Sequence, residues 1–252
     1  MTISHHGIQT LSPQKIPLAR RKFLKGVTSL GALALLSYFI PSCSPANGSV
    51  PAGVSGASLG EGGELPEPRT DGDVSIEETL SKRRSIRSYS SKALTLEEVS
   101  QLLWAAQGIT NSKGYRTAPS AMAAFPLETY LVVGDVENLD EGVYHYEPAG
   151  HKLTKVHDGD YRPKLTPASI GRYFVEGGAV YILITAIYNP SSEGAKYVHM
   201  EVGHAAQNVY LQAVSLGLGT VVNGGISADS IRKILKLPSN VEPLYFMPVG
   251  NL

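Results

Sequence analysis

Cysteine is almost absent from this 252-residue chain, where Cys43 is the only one. One thiol excludes an intrachain disulfide framework and any multi-cysteine metal or iron–sulfur site. Acidic residues are missing from positions 1–43, a stretch that holds Lys15, Arg20, Arg21, Lys22 and Lys25. The formal net charge of zero hides that asymmetry, because the remainder carries 17 basic against 22 acidic residues, a net −5. A mildly acidic body argues against sequence-independent nucleic-acid binding, which depends on Lys and Arg neutralising phosphates. The N-terminal part also lacks an apolar run long enough to span a bilayer. Val27 to Ile40 supplies about 14 residues where a span needs about 20. What remains, 42% hydrophobic and 17% charged, is the composition of an ordinary folded protein.

Arg20-Arg21-Lys22-Phe23-Leu24-Lys25 stands directly before that apolar run, the order of a basic n-region and an h-region. Paired arginines followed by Phe-Leu-Lys resemble a twin-arginine export signal, a receptor-read address and not an anchor. Gly26, Gly31 and the want of a polar face speak against an amphipathic surface helix. Cys43 falls where the apolar run ends, in Ile40-Pro41-Ser42-Cys43, a placement that resembles a lipoprotein processing site. The expectation is export to the periplasm or the extracytoplasmic membrane surface, with Cys43 as the candidate for lipidation. Residues 44–69 are rich in Gly, Pro, Ser and Ala without a hydrophobic period and read as a flexible linker. One folded domain is expected over 70–252.

Within that domain, Ser75-Ile-Glu-Glu78 has the spacing of a capping box and opens a helix to about Arg83. Thr95-Leu-Glu-Glu98 repeats the signal, followed by an apolar face of Leu96, Val99, Leu102, Leu103 and Ala106, with Gly108 as the stop. Leu127 to Val133 reads as a strand, and Val143 to Glu147 with Lys152 to Val156 as a hairpin about Pro-Ala-Gly. Ala179 to Tyr188 is apolar throughout, as in a strand covered on both faces. Tyr197 to Leu216 gives the longest helical period, ended by Gly217. A short strand over Thr220 to Val222, a helix from Ser227 through Leu235 and a strand over Leu244 to Val249 complete the series. Strands and helices are mixed without βαβ alternation, which predicts an α+β fold.

The densest chemical signal is Arg83-Arg84-Ser85-Ile86-Arg87, three guanidinium groups and a hydroxyl at a helix end. Arginine forks suit the paired oxygens of a phosphate. The same residues also suit a solvated helix C-terminus, where the dipole favours cations. A second segment, Thr117 to Glu128, has small side chains and two prolines and runs into a strand. Its want of bulk lets a flat ring lie against backbone, with amides and Ser120 placed to bond the ring's polar edge. Together the two segments supply a phosphate clamp and a ring platform.

These segments resemble the nitroreductase family, and within it the SagB-type dehydrogenases. The likeness runs through Arg83 to Tyr89, Leu94-Thr-Leu-Glu-Glu98, Leu102-Leu-Trp-Ala-Ala-Gln-Gly108, Arg116-Thr-Ala-Pro-Ser120 and Pro126-Leu-Glu128. It continues through Tyr144-His-Tyr146, Glu201-Val-Gly-His-Ala-Ala-Gln-Asn208, Leu216-Gly-Leu-Gly219 and Pro248-Val-Gly250. The resemblance implies a mixed central sheet with helices packed around it, in an obligate-type homodimer with two FMN molecules at the subunit interface. It places Arg83, Arg84, Ser85 and Arg87 at the phosphate, and Pro119, Ser120 and Ala121 beside the ring. It places Asn223, Gly224 and Gly225 at the flavin's reactive edge. Many relatives add a basic phosphate ligand in a C-terminal tail, whereas this sequence ends at Leu252, so the first arginine cluster is expected to carry more of the phosphate.

Other signals weigh less. Leu216-Gly-Leu-Gly219 leaves a helix for a strand, the reverse of a dinucleotide fingerprint, and lacks the third glycine. Glu201 and His204 form one Glu-x-x-His pair, where a di-iron bundle needs two. Gln207 and Asn208 are candidates for bonding flavin or for capping a subunit contact, and Asn208 is retained as a cofactor ligand. Tyr144, Tyr146 and Trp104 read as core. The activity implied is transfer of electrons or hydride from a reduced donor to a small organic acceptor, the cofactor carrying the chemistry. Two alternatives stay open: a SagB-like dehydrogenase or oxidase that desaturates a peptide or small molecule, and a non-catalytic flavin-binding protein. Outside the cytoplasm, a membrane quinol or redox partner is the expected donor.

Overall fold

A computed structural model of the chain describes residues 59, 62–171, 175–189 and 194–252. The twin-arginine segment, the apolar run and Cys43 lie outside the described residues. Residues 52–252 cluster as one compact unit.

Seven strands form one sheet: β1 (Gly62–Glu64), β2 (Leu127–Val133), β3 (Gly142–Glu147), β4 (Lys152–Asp158), β5 (Val180–Ile187), β6 (Leu218–Thr220) and β7 (Val241–Asn251). Their order is β1-β4-β3-β2-β5-β7-β6, with every ladder antiparallel. An isolated parallel bridge joins Leu94 to Val136. Among the described residues, five α-helices accompany the sheet: α1 (Ile76–Lys82), α2 (Leu96–Gln107), α3 (Arg162–Leu165), α4 (Ala195–Ser215) and α5 (Ala228–Leu235).

Strand alternation sends successive residues of the central strands to opposite faces, and both faces are covered. Leu131, Val133, Ile182, Ile184, Met247 and Val249 pack with Leu102 and Leu103 of α2 and Val202, Ala205 and Val209 of α4. The intervening Val132, Leu183 and Phe246 pack with Leu165 of α3 and Ile231 and Leu235 of α5. β5 thus lies between two cores, which is why its sequence is apolar without alternation.

The helix starts follow the sequence. Thr95 and Glu98 complete a reciprocal capping box at α2, and Ser75 and Ser227 accept N3 amides at α1 and α5. Each such cap is worth about 1 kcal/mol. The hairpin over β3 and β4, the β2 strand and α4 also match the expectations within two residues.

Four boundaries differ. Residues 62–69 belong to the ordered domain and not to the linker: β1 pairs with β4, Leu65 is buried, and Gln101 bonds both the amide and the carbonyl of Arg69. The glycines that read as flexible are what the contact requires. Gly62 has φ +102°, and a Cβ there would meet the Leu153 carbonyl oxygen at 2.4 Å. The short strand after α4 lies at Leu218–Thr220, two residues earlier than expected, because Leu218 and Thr220 pair with the end of β7. β7 itself is longer than expected, its register shifting opposite Ile184 and Thr185 so that the strand passes through Pro243. The short α3 carried no legible period.

Candidate functional site

α4 is the spine of the site. Two of its side chains, nine residues or about 14 Å apart along the axis, organise the segments singled out by the sequence. Tyr210 holds one end and Glu201 the other.

At the Tyr210 end the chain leaves α1 through Arg83, whose amide donates to Thr79 O at 2.9 Å and whose backbone turns extended. The Arg83 guanidinium lies over the Tyr210 ring, 5.0 Å from its centroid. The hydroxyls of Ser85 and Tyr210 are 3.2 Å apart. The Tyr210 hydroxyl also accepts the Val222 amide at 2.8 Å, and the Ile86 amide donates to Thr220 O at 2.9 Å. The arginine segment is thereby fixed to the strand that leads into Asn223-Gly224-Gly225. Burial pushes the Tyr89 phenol well above its ordinary pKa, and its hydroxyl donates to Ile86 O at 2.9 Å. Its ring sits against Gly250, where a Cβ would approach Tyr89 Cβ to 2.9 Å.

Arg84 and Arg87 are exposed. Arg84 bonds the carbonyls of Ser81 and Arg83 at 2.9 and 2.7 Å, and Arg87 bonds Ser85 O at 3.2 Å. The helix-end role of Arg84 is therefore realised, while a guanidinium keeps further N–H donors for an anion.

Asn223 is buried, exchanges backbone hydrogen bonds with Phe246, and accepts the Gly225 amide on its side-chain oxygen at 2.9 Å. The Ile170 amide donates to Gly225 O at 2.6 Å. A Cβ at Gly225 would stand 3.2 Å from Ile170 Cβ, and one at Gly224 would stand 3.2 Å from the Tyr245 ring. The segment is a buried Asn223 followed by an exposed Gly224 and a partly exposed Gly225.

At the other end, the Pro119-Ser120-Ala121 loop rests on Glu201, which is 3% exposed. Its carboxyl lies beside the Ser120 hydroxyl and the Ala121 amide. Burial holds the Glu201 pKa above the usual carboxylate value despite those donors and the nearby Arg116 and His204. Asn208 does not face the arginine cluster. Its side-chain amide donates to Thr117 O at 3.1 Å, anchoring the start of the loop. Arg116 bonds Gln107 at 2.7 Å and lies over the Phe125 ring.

Two sets therefore emerge. Arg83, Arg84, Ser85 and Arg87 are brought together with Asn223, Gly224 and Gly225 through Tyr210 and β6. Pro119, Ser120, Ala121 and Asn208 gather farther along α4. A cavity of about 330 Å3 between residues 69–74, α1, α2 and α4 reaches Asn208 and Thr117, and one of about 210 Å3 reaches Arg84 and Tyr210. Neither includes Ser120. Tyr144 and Tyr146 are fully buried core, whereas Trp104 lines the larger cavity. Sequence reading missed Tyr210 and the placement of Glu201 beneath the Ser120 loop. A signal for the latter exists: Glu201 falls on the buried stripe with Val198, Val202 and Ala205, where an acid demands an explanation.

The model of the nitroreductase family matches residues 80–251. A protein of Methanocaldococcus jannaschii named as a nitroreductase is 43% identical over 198 residues, which cover 77% of this chain and 98% of that protein. A crystal structure from Ralstonia eutropha, also named as a nitroreductase, superposes with TM-score 0.68 at 29% identity, covering 82% of this chain and 97% of the other. An NADPH-dependent FMN reductase of Bacillus subtilis is 28% identical over 69% of this chain, which spans 64% of that relative.

Proposed function

The chain belongs to the nitroreductase family, and from that premise we propose that it is an FMN-dependent oxidoreductase passing electrons or hydride from a reduced donor to a small organic acceptor. The observation that carries the reading is that Tyr210 ties Arg83 and Ser85 to Val222, the residue before Asn223-Gly224-Gly225, with Arg84 and Arg87 exposed in the same segment. That arrangement sets anion donors next to exposed backbone that a flat ring can approach.

The residues fit the cofactor. Guanidinium forks and a hydroxyl suit a phosphate monoester, and the exposed Gly224 leaves backbone accessible at the ring's reactive edge. FMN, when bound, supplies the redox chemistry, accepting electrons from one partner and delivering them to another. The protein's part is to hold the phosphate, orient the ring and place amides and cations where negative charge develops. No side chain is assigned as an obligatory nucleophile. A single chain leaves the Ser120 loop apart from the arginine cluster, and a homodimer, in which one subunit's loop covers the other's clamp, completes the site.

Export by the twin-arginine route, with Cys43 as the lipid attachment point, is part of the same proposal. It rests on the order of Arg20-Arg21, the apolar run and Cys43. A membrane quinol or redox partner then serves as donor, because soluble nicotinamide donors are scarce outside the cytoplasm. Cell fractionation of wild-type protein and a paired Arg20→Lys, Arg21→Lys variant tests the route, with cytoplasmic retention of the variant expected. Anaerobic reduction by a quinol analogue, compared with NADH and NADPH, tests the donor. Turnover with a reduced donor supports the reductase assignment, whereas oxygen-dependent desaturation of a substrate would replace it with the SagB-like one.

A further inference from the structure

The loop after Pro119 carries backbone strain that its own sequence does not explain. Met122, Ala123 and Phe125 have φ of 55°, 54° and 46°, left-handed values at three non-glycine residues within four positions. L-residues reach that region at about 1–2 kcal/mol each, and runs of them persist only where neighbours over-determine the geometry. Met122 is fully exposed and contributes no packing of its own.

The holding groups are few. Ser120 Oγ accepts the Phe125 amide at 2.8 Å, and the Ser120 hydroxyl and Ala121 amide lie beside the Glu201 carboxyl. Backbone bonds from Ala123 to Ser120 O and from Ala124 to Ala121 O close the turn. Beyond the turn, Pro126 O accepts the Ile187 amide at 2.9 Å and Arg116 lies over the Phe125 ring, which leaves the Glu201 carboxyl as the polar group facing Ser120 and Ala121. Glu201 Oε1 is buried and has no hydrogen-bond partner among the described residues. A buried acid with an unpaired oxygen is costly to keep for stability alone.

We propose that Glu201 is the positioning residue for the candidate ring-binding loop, its carboxyl fixing Ser120 and Ala121 so that residues 120–125 keep their strained backbone and present their outer edge to the flavin. The last step rests on the FMN reading above, while the clamp itself does not.

A consequence follows from linkage. The pKa of Glu201 is raised by burial, Arg116 from the preceding segment and His204 on α4 being the charged groups that act on it. If opening the loop hydrates the carboxyl, the closed loop binds the proton more tightly than the open one. Closure is then fully favoured at low pH and is lost as pH rises through the raised value, by at most tenfold per pH unit for one proton.

The test is amide hydrogen exchange on the full chain as wild type, Glu201→Gln and Glu201→Leu, from pH 5 to 9, with FMN titrations on the same samples. Glu201→Gln keeps an acceptor oxygen without the ionisation. It should hold Ala121 and Phe125 protected with no pH trend beyond intrinsic exchange, and should bind FMN within about threefold of wild type. Glu201→Leu removes the acceptor, and should cost about tenfold or more in both protection and FMN affinity. Amides of β5 and α2 should be unchanged in both variants. Equal protection in Glu201→Leu and wild type, or the same pH trend in wild type and Glu201→Gln, would overturn the proposal. Should Glu201→Leu fail to fold, Ser120→Ala serves in its place, and wild-type protection of Phe125 in that variant overturns the clamp. Wild-type protein that shows the exchange pattern but binds no FMN would confirm the clamp and refute the flavin reading.

Discussion

Replacing Tyr210 with Phe separates the pin of the site from its packing. The ring stays, so the aromatic surface beneath the Arg83 guanidinium at 5.0 Å and the apolar contacts of a residue 8% exposed are retained. What goes is one oxygen that accepts the Val222 amide at 2.8 Å and shares a hydrogen bond with Ser85 at 3.2 Å. A partly buried amide left without its acceptor costs about 1–3 kcal/mol, and the shared hydroxyl bond adds about 1. At roughly 2–4 °C per kcal/mol for a domain of this size, the melting temperature of apo Tyr210→Phe should fall by about 4–16 °C. The same loss frees Ser85 on one side and the strand leading to Asn223 on the other, so FMN affinity should drop by about tenfold with fold retained. Calorimetry of the apo-protein and fluorescence titration of FMN read the two effects. A variant melting within 1 °C of wild type and binding FMN equally would show that Tyr210 does not join the two segments.

Arg84→Ala and Arg87→Ala should each weaken FMN binding by about tenfold at low salt, with the difference shrinking as ionic strength rises and the melting temperature unmoved. Stoichiometric flavin in both variants at micromolar cofactor would remove the phosphate clamp. Gly219→Ala places a Cβ 2.7 Å from Ile86 Cγ2 and 2.7 Å from a Leu252 methyl, and should destabilise by about 1–3 kcal/mol through overpacking. Equal urea midpoints for the variant and wild type would contradict that. His151 is partly buried, its Nδ1 2.9 Å from the Tyr146 hydroxyl and its Nε2 2.7 Å from Ser100. Burial holds its pKa below the ordinary 6.5, so the unfolded chain takes the proton first. The contribution is present above the unfolded value and is lost as pH falls through the folded one. Melting between pH 7.5 and 5 should therefore drop more in wild type than in His151→Asn, and parallel slopes would refute the assignment.

Much of the fold was legible where local chemistry and tertiary demand agree. The capping residues Ser75, Thr95 and Ser227 satisfy amides wherever the helix goes, and the unbroken apolar run of β5 has no other place than between two cores. What was hidden depended on partners distant in sequence. β1 is Gly-Gly-Glu, with no side-chain pattern, and is held by backbone pairing to residues some ninety positions later. The shift of β6 to Leu218–Thr220 follows from its pairing with β7, which Gly217 and Gly219 disguise as a turn. At the site, the arginine cluster and the small-residue loop stood out because their composition is unusual for their elements. Tyr210 did not, since a tyrosine beside Val209 on an apolar helix face reads as packing. Asn208 was legible as polar on α4, but not its bond to the Thr117 carbonyl. Only a map of what each side chain touches could assign it.

The central claim is tested most directly by the absorption spectrum of the purified full chain together with the identity and amount of released cofactor. A flavin spectrum with FMN at about one per chain, restored to stripped protein by added FMN, is the expected result. Colourless protein that takes up no FMN would contradict the account and return Arg83, Arg84 and Arg87 to the solvated end of a helix.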